Sequence, residues 1–189
     1  MTIGISRHLS LLASIIVVGR SDTVRLGLIA DTHGHPLPES VRRLFAGVDL
    51  ILHAGDLGSE QILTELAAIA PVEAVAGNID SPALLERLGW RKIVLAGSTR
   101  IGLVHGDRGS ERTTVERALG AFEAGSVDVV VFGHSHAPRV DWHRDVLLVN
   151  PGSATVPRLQ PRPSVALLTV GAAIDAEIVW LPRYRISPR

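Results

Sequence analysis

Five short patterns in the chain combine carboxylate, carboxamide and imidazole groups with glycine: Asp31-x-His33, Gly55-Asp56, Gly77-Asn78, His105-Gly106 and Gly133-His134-x-His136. Aspartate and neutral imidazole suit borderline divalent ions such as manganese, iron, zinc, cobalt and nickel, and one carboxylate has two oxygens with which to bridge two ions. The chain contains no cysteine, which removes thiolate ligands, disulfides and cysteine nucleophiles together. Singly, most of the patterns are weak. With this composition Asp-x-His arises by chance about 0.4 times and Gly-Asp about once, whereas Gly-His-x-His is expected only about 0.03 times. The conjunction is what carries weight: four of the eight histidines lie in these patterns, and both asparagines, Asn78 and Asn150, fall where strands are expected to end.

Such donors need rigid elements that bring distant residues together. From Arg25 onward, short β-branched runs alternate with amphipathic segments, an α/β rhythm. The spacing predicts strands over 26–30, 50–54, 72–76 and 127–132, each stopping at one of the patterns. Helices are expected over 38–46, over 59–70 with Ser59 as its cap, from Ser81-Pro82, and from Ser110 to about Ala124. Residues 91–95 and 100–104 flank Ala96-Gly97-Ser98 and read as a hairpin stopping at His105. Residues 139–149 read as another, leading to Asn150-Pro151-Gly152, and strands over 164–170 and 173–180 close the chain. In open α/β sheets ligands bind beyond the carboxyl ends of the strands, so the polar endings have a place to meet. Residues two apart on an extended segment point the same way, which would let Asp31 and His33, or His134 and His136, reach one cluster together. Gly55, Gly77, Gly106 and Gly133 are expected where a side chain would crowd the backbone or demand a positive φ.

Composition narrows the classes further. Of 189 residues 46% are hydrophobic, and 19 basic side chains cancel 19 acidic ones. Neutrality argues against nucleic-acid binding by bulk phosphate neutralisation, and the apolar content argues against disorder. A chain of this length buries roughly 70% of the surface its unfolded form exposes, so a single core suffices. Lys92 is the one lysine among the 19 basic residues, a bias read as genome base composition and not as chemistry. At the N-terminus, Arg7 and His8 precede an apolar stretch, Leu9 to Gly19, that superficially looks like a secretory signal. It is too short to span a bilayer as a helix, and no convincing cleavage site follows it.

In order and spacing the five patterns resemble the blocks of the calcineurin-like metallophosphoesterase superfamily: Asp-x-His, Gly-Asp, Gly-Asn, His and Gly-His-x-His. The resemblance runs from Leu26 to about Arg158 and is strongest to the small, single-domain prokaryotic phosphodiesterase branch, which carries an Asn-Pro-Gly-Ser segment, here Asn150 to Ser153. It implies an α/β fold, a four-layer αββα sandwich of two mixed sheets flanked by helices, with a dimetal site at the carboxyl ends of the strands. By resemblance Asp31, His33, Asp56 and His136 would hold one ion, and Asp56, Asn78, His105 and His134 the other. Asp56, Asn78 and His105 are then the catalytic set around a metal-bridging hydroxide that attacks phosphorus. The implied cofactors are two divalent ions, manganese first among manganese, nickel, cobalt, iron and zinc. The implied partner is a small phosphodiester, the compartment the cytoplasm, and self-association common. Branch members begin close to the first strand, so residues 1–23 read as an extension and 24–189 as the single domain.

One position departs from the family. Where many members have histidine after the asparagine, this chain has Ile79, which can neither protonate a leaving group nor stabilise its charge. Asp80 follows and could orient Asn78 or act as an acid. His53 and His35 are expected beside the site and not as ligands, His8 and His143 at the surface, Asp107 and Arg108 as a surface ion pair or a substrate contact, and Asn150 to Ser153 as a structural turn. Besides a phosphodiesterase, two functions compete: an interaction scaffold, as in the retromer subunit of this fold, and a phosphomonoesterase, which Ile79 disfavours.

Overall fold

The computed structural model describes residues 23–183. His8 and the signal-like stretch lie outside them. In chain order the elements are β1 (Val24–Ile29), α1 (Glu39–Phe45), β2 (Leu50–Ala54), α2 (Gln61–Ala67), β3 (Val72–Val75), α3 (Pro82–Leu88) and the hairpin of β4 (Arg91–Ala96) and β5 (Thr99–Val104). There follow α4 (Thr114–Gly120), β6 (Val129–Val131), the hairpin of β7 (Arg139–His143) and β8 (Val146–Asn150), β9 (Ser164–Val170) and β10 (Ile174–Trp180).

Two five-stranded sheets form, ordered β10-β9-β1-β2-β3 and β4-β5-β6-β8-β7. Each contains three parallel strands, β1-β2-β3 at one side of the first sheet and β5-β6-β8 at the centre of the second, with antiparallel strands completing it, so both are mixed. Strand alternation dictates the layering. Val24, Leu26 and Leu28 of β1, with Leu50 and Leu52 of β2, meet Ile101, Leu103, Val129, Val131, Leu147 and Val149 of the other sheet in the central core. The opposite faces are covered by helices: Val41, Phe45, Ile62 and Leu66 of α1 and α2 pack on Ile29, Ile51 and Val165, while Ala118 of α4 and Phe122 just beyond it pack on Val104, Val130 and Leu148. This is the expected αββα sandwich.

Two helices start elsewhere than their caps suggested. Ser81 does accept a hydrogen bond from Leu84 N–H, with Pro82 at the first helical position. The helix expected from Ser110 instead begins at Thr114, because Thr113 and Glu116 form a capping box that satisfies two backbone donors at once. Ser59 accepts from Gln61 N–H, yet α2 is shorter than expected at both ends.

Candidate metal centre

Because β1, β2, β3, β5 and β6 run parallel within their sheets, their carboxyl ends deliver the five patterns to one end of the sandwich. The loops are laced together there by backbone bonds: Asp31 N–H donates to Gly55 O at 3.0 Å, His33 N–H to Asp56 O at 3.0 Å, and Gly133 N–H to His105 O at 3.1 Å. Close approach explains the glycines. A Cβ on Gly77 would collide with the Asp56 backbone and the His105 ring, and one on Gly55, whose φ is +86°, would lie 2.8 Å from His105 Nδ1.

The extended backbone expected at Asp31-x-His33 and His134-x-His136 is not what forms. Asp31, His33, Asp56, His134 and His136 all have φ between +50° and +66°, and they are five of the seven non-glycine residues with positive φ among the described residues. Each costs roughly 1 kcal/mol against a right-handed or extended backbone. The left-handed turns fold each loop back over the strand ends and aim alternate side chains inward, so convergence is reached through strain and not through the pleat.

What converges is a set of ligand-type atoms, in which His33 Nε2 donates to His136 Nε2. His33 Nε2 and His136 Nε2 lie 3.1 Å apart, and His136 Nε2 is 3.3 Å from Asp31 Oδ1. Two nitrogens each about 2.1 Å from one ion, at a right angle, would be about 3.0 Å apart. Asp56 divides its oxygens: Oδ1 is 3.2 Å from His105 Nε2 and Oδ2 is 3.9 Å from His33 Nε2. Two triads close enough to share an ion result, Asp31–His33–His136 and Asp31–Asp56–His105. Asn78 and His134 stand at the outer edge, paired with each other, His134 Nδ1 donating to Asn78 Oδ1 at 3.0 Å. The His134 ring meets that of His105 edge to face, 5.2 Å between centroids.

Neighbouring carbonyls fix the tautomers. His105 Nδ1 donates to Ala54 O at 2.8 Å and His136 Nδ1 donates to Val156 O, and since a carbonyl only accepts, Nε2 of each ring faces the cluster without needing its proton. Asp31 Oδ1 and Oδ2 and His105 Nε2 are buried with no hydrogen-bond partner. Burial pushes Asp31 up to about 7. Burial also raises Asp56, but contact with His105, its charge and the Ile79 N–H outweigh this and hold it at about 2. His105 is lowered by burial and raised more by Asp56 and Asp31, so its net shift is upward. Burial lowers His33 and His134, and takes His136 down to about 4. The orphaned buried oxygens of Asp31 and the orphaned His105 Nε2 cost several kcal/mol unless a cation joins them, and the donor set suits a divalent ion.

Several residues around this centre brace it. Asp80 accepts from Leu57, Gly58 and Gly77 N–H at 3.2, 2.8 and 2.8 Å, clamping the Asp56 loop to the Asn78 loop. His53 is fully buried, with Nε2 donating to Thr32 Oγ1, and burial lowers it to about 3. The His35 ring is half-buried, and its backbone N–H closes a turn on Thr32. His143 is exposed on β7, and Asp107 pairs with Arg108 at 3.7 Å. The Asn150–Ser153 turn does more than turn. Asn150 Nδ2 donates to Gly133 O, Ser153 Oγ to Asp31 O at 2.7 Å, and Thr155 Oγ1 to Thr32 O at 2.9 Å, tying the ligand loops of both sheets to one segment. Motif spacing did not expose Thr155. The available sign was a hydroxyl-rich run, Ser153 to Thr155, directly after Asn150-Pro151-Gly152.

A family model for the calcineurin-like phosphoesterase superfamily domain matches residues 24–173. A protein of Methanothermobacter thermautotrophicus named a probable metallophosphoesterase is 43% identical over 159 residues, covering 82% of this chain and 91% of its own. A phosphodiesterase of Methanocaldococcus jannaschii is 27% identical over 146 residues, covering 68% and 83%. Among solved structures, Vps29 of Chaetomium thermophilum superposes with a TM-score of 0.69 at 22% identity, covering 84% of this chain and 97% of its own. With the domain match spanning most of the chain, this protein belongs to the calcineurin-like phosphoesterase superfamily.

Proposed function

We propose that the protein is a metal-dependent phosphodiesterase of the cytoplasm that takes two divalent ions, manganese foremost, and hydrolyses a small phosphodiester. The observation that carries the reading is the group of orphaned, buried donor atoms on Asp31 and His105, flanked by His33 Nε2 and His136 Nε2, which lie 3.1 Å apart. Asp31, His33, Asp56 and His136 would hold one ion and Asp56, Asn78, His105 and His134 the other, Asp56 being shared because its two oxygens face different histidines. When bound, the pair would supply Lewis acidity toward phosphoryl oxygens and lower the pKa of water.

The chain's own residues set the rest. The carbonyls of Ala54 and Val156 hold the His105 and His136 rings in register, and the Ile79 N–H steadies Asp56. Asp80 is poorly suited to donate a proton, since both its oxygens already accept from backbone N–H groups. Ile79, 46% exposed, adds no acid, so good leaving groups are favoured and diesters are expected over alkyl monoesters. We include self-association in the proposal. Val140 and Trp142 of β7 and Trp180 of β10 leave apolar surface exposed where the two sheet edges meet.

The test is hydrolysis of an aryl phosphodiester and the matching monoester by chelator-stripped protein given back manganese, beside Asp56→Asn. Diester turnover that needs the metal, exceeds monoester turnover and falls by about 10³-fold or more in Asp56→Asn is the expected result. A folded protein that turns over neither ester with any divalent ion would move the assignment to an interaction scaffold.

A further inference from the structure

His53 is a fully buried titratable side chain that the chemistry above leaves unused. Strand alternation places it with Ile51 on the face of β2 that packs on α1 and α2. A histidine there is expensive, because Nδ1 is buried with no hydrogen-bond partner. Its other nitrogen has one task. Nε2 lies 2.9 Å from Thr32 Oγ1, whose own hydrogen goes to Leu57 O at 3.2 Å. Because that hydrogen is already spent, Nε2 must be the donor, and a neutral ring with its proton on Nε2 has only a lone pair on Nδ1. Burial keeps the ring neutral, so it serves as a fixed donor and not as a proton carrier.

Thr32 stands between Asp31 and His33, and Leu57 follows Asp56, so the chain His53–Thr32–Leu57 joins the loop after β1 to the loop after β2. A threonine hydroxyl can turn about its bond. With His53 donating to a lone pair, the hydrogen is left for Leu57 O and the side chain is held in one orientation. The Thr32 carbonyl is held separately, by Thr155 Oγ1 at 2.9 Å and His35 N–H at 3.0 Å. Asp31 and Asp56 share one triad with His105, so the separation of their loops decides whether both carboxylates serve the same ion. We propose that His53 is a positioning residue of the metal centre, which locks the Thr32 hydroxyl onto Leu57 O and thereby sets the spacing of the Asp31 and Asp56 loops. The proposal deepens the phosphodiesterase reading and rests on its metal centre.

The test compares His53→Leu, which fills the site without a donor, His53→Gln, whose amide N–H reaches about as far as Nε2, and Thr32→Val, which keeps the shape and loses the hydroxyl. Manganese affinity is measured by calorimetry on stripped protein, the urea midpoint in chelator, and kcat and KM for the aryl diester at saturating manganese. His53→Leu is expected to weaken manganese about tenfold and to lower kcat similarly with KM within about twofold, while His53→Gln stays within about threefold of wild type. Thr32→Val should match His53→Leu, and the double variant should be no worse than either, since both cut the same link. The urea midpoint of His53→Leu should hold or rise, because the orphaned Nδ1 leaves together with the hydrogen bond. Unchanged manganese affinity in His53→Leu, losses that multiply in the double variant, or a midpoint that falls in step with manganese affinity would each overturn the role. If the wild type binds manganese but hydrolyses no diester, weaker manganese binding in His53→Leu with recovery in His53→Gln upholds the positioning role while the phosphodiesterase reading falls.

Discussion

The two sides of the centre are built differently. On the inner side Asp31 and His136 are fully buried, their loops are pinned by Ser153, Thr155 and Val156, and both Asp31 oxygens lack a partner. On the outer side Asn78 is exposed, His134 is half-buried, and the two satisfy one another through a hydrogen bond. An ion arriving on the inner side gives up the His33–His136 hydrogen bond but relieves both Asp31 oxygens, already stranded away from water. On the outer side it must displace the Asn78–His134 bond and compete with solvent. Preorganisation is therefore unequal, and the sides should fill in sequence.

The largest expected effect follows directly. Manganese titrated calorimetrically into stripped protein should bind in two phases. His136→Ala should weaken the tight phase by about 100-fold or more, whereas His134→Ala should remove the weak phase and leave the tight one within about threefold. A single phase, or equal losses in the two variants, would break the contrast.

A second consequence concerns the metal-free protein. The folded state holds the Asp31 proton up to about pH 7, while the unfolded chain loses it near 3.8, so the native form binds the extra proton between these values. Stability contributed by this group therefore falls as pH rises from about 4 to about 7. Asparagine does not titrate. In chelator, Asp31→Asn should exceed wild type in stability at pH 8 by on the order of 4 kcal/mol, and the gap should close toward pH 4. Manganese at pH 8 should reverse the order. His53 and His136, held neutral by burial at about 3 and 4, act with the opposite sign, destabilising the fold as pH falls below 6.5. His53 is common to both proteins and cancels in the difference, whereas His136, 3.3 Å from Asp31, and His105, which the Asp31 charge raises, change with the substitution and are part of the gap. Urea unfolding at both pH values decides the matter, and a gap independent of pH would mean that Asp31 is not the strained carboxylate.

How much of this was legible beforehand divides along similar lines. Strand ends, hairpins and every residue of the two triads could be read in the sequence, because burial alternates with the pleat and ligands are chemically distinctive types at short spacing. The backbone that aims them could not. Left-handed φ at Asp31, His33, Asp56, His134 and His136 is imposed by tertiary lacing between loops far apart in sequence, and the tolerance of Asp and His for that region is too weak a local propensity to announce it. The role of Asp80 was hidden for the same reason, since its three donors come from two separate loops. By contrast, the true start of α4 was readable: Thr113-x-x-Glu116 is a capping box in plain sequence, and Ser110 drew attention away from it.

The smallest effect sharpens the outer side. Ile79 uses its backbone N–H to hold Asp56 Oδ1 at 3.1 Å, while its side chain is exposed beside Asn78, so a substitution there can change chemistry without touching the inner ligands. Ile79→His should leave the tight manganese phase and the rate on a nitrophenyl diester within about twofold, because a good leaving group departs without help. On alkyl phosphates, whose leaving oxygen needs a proton, the rate should rise about tenfold, and the gain should fade above the pKa of the new imidazole. That magnitude is well below what a positioned general acid delivers, since a side chain at position 79 is half exposed and a new ring there is not held on all sides. Unchanged relative rates would mean that the leaving group departs away from the Asn78–His134 side.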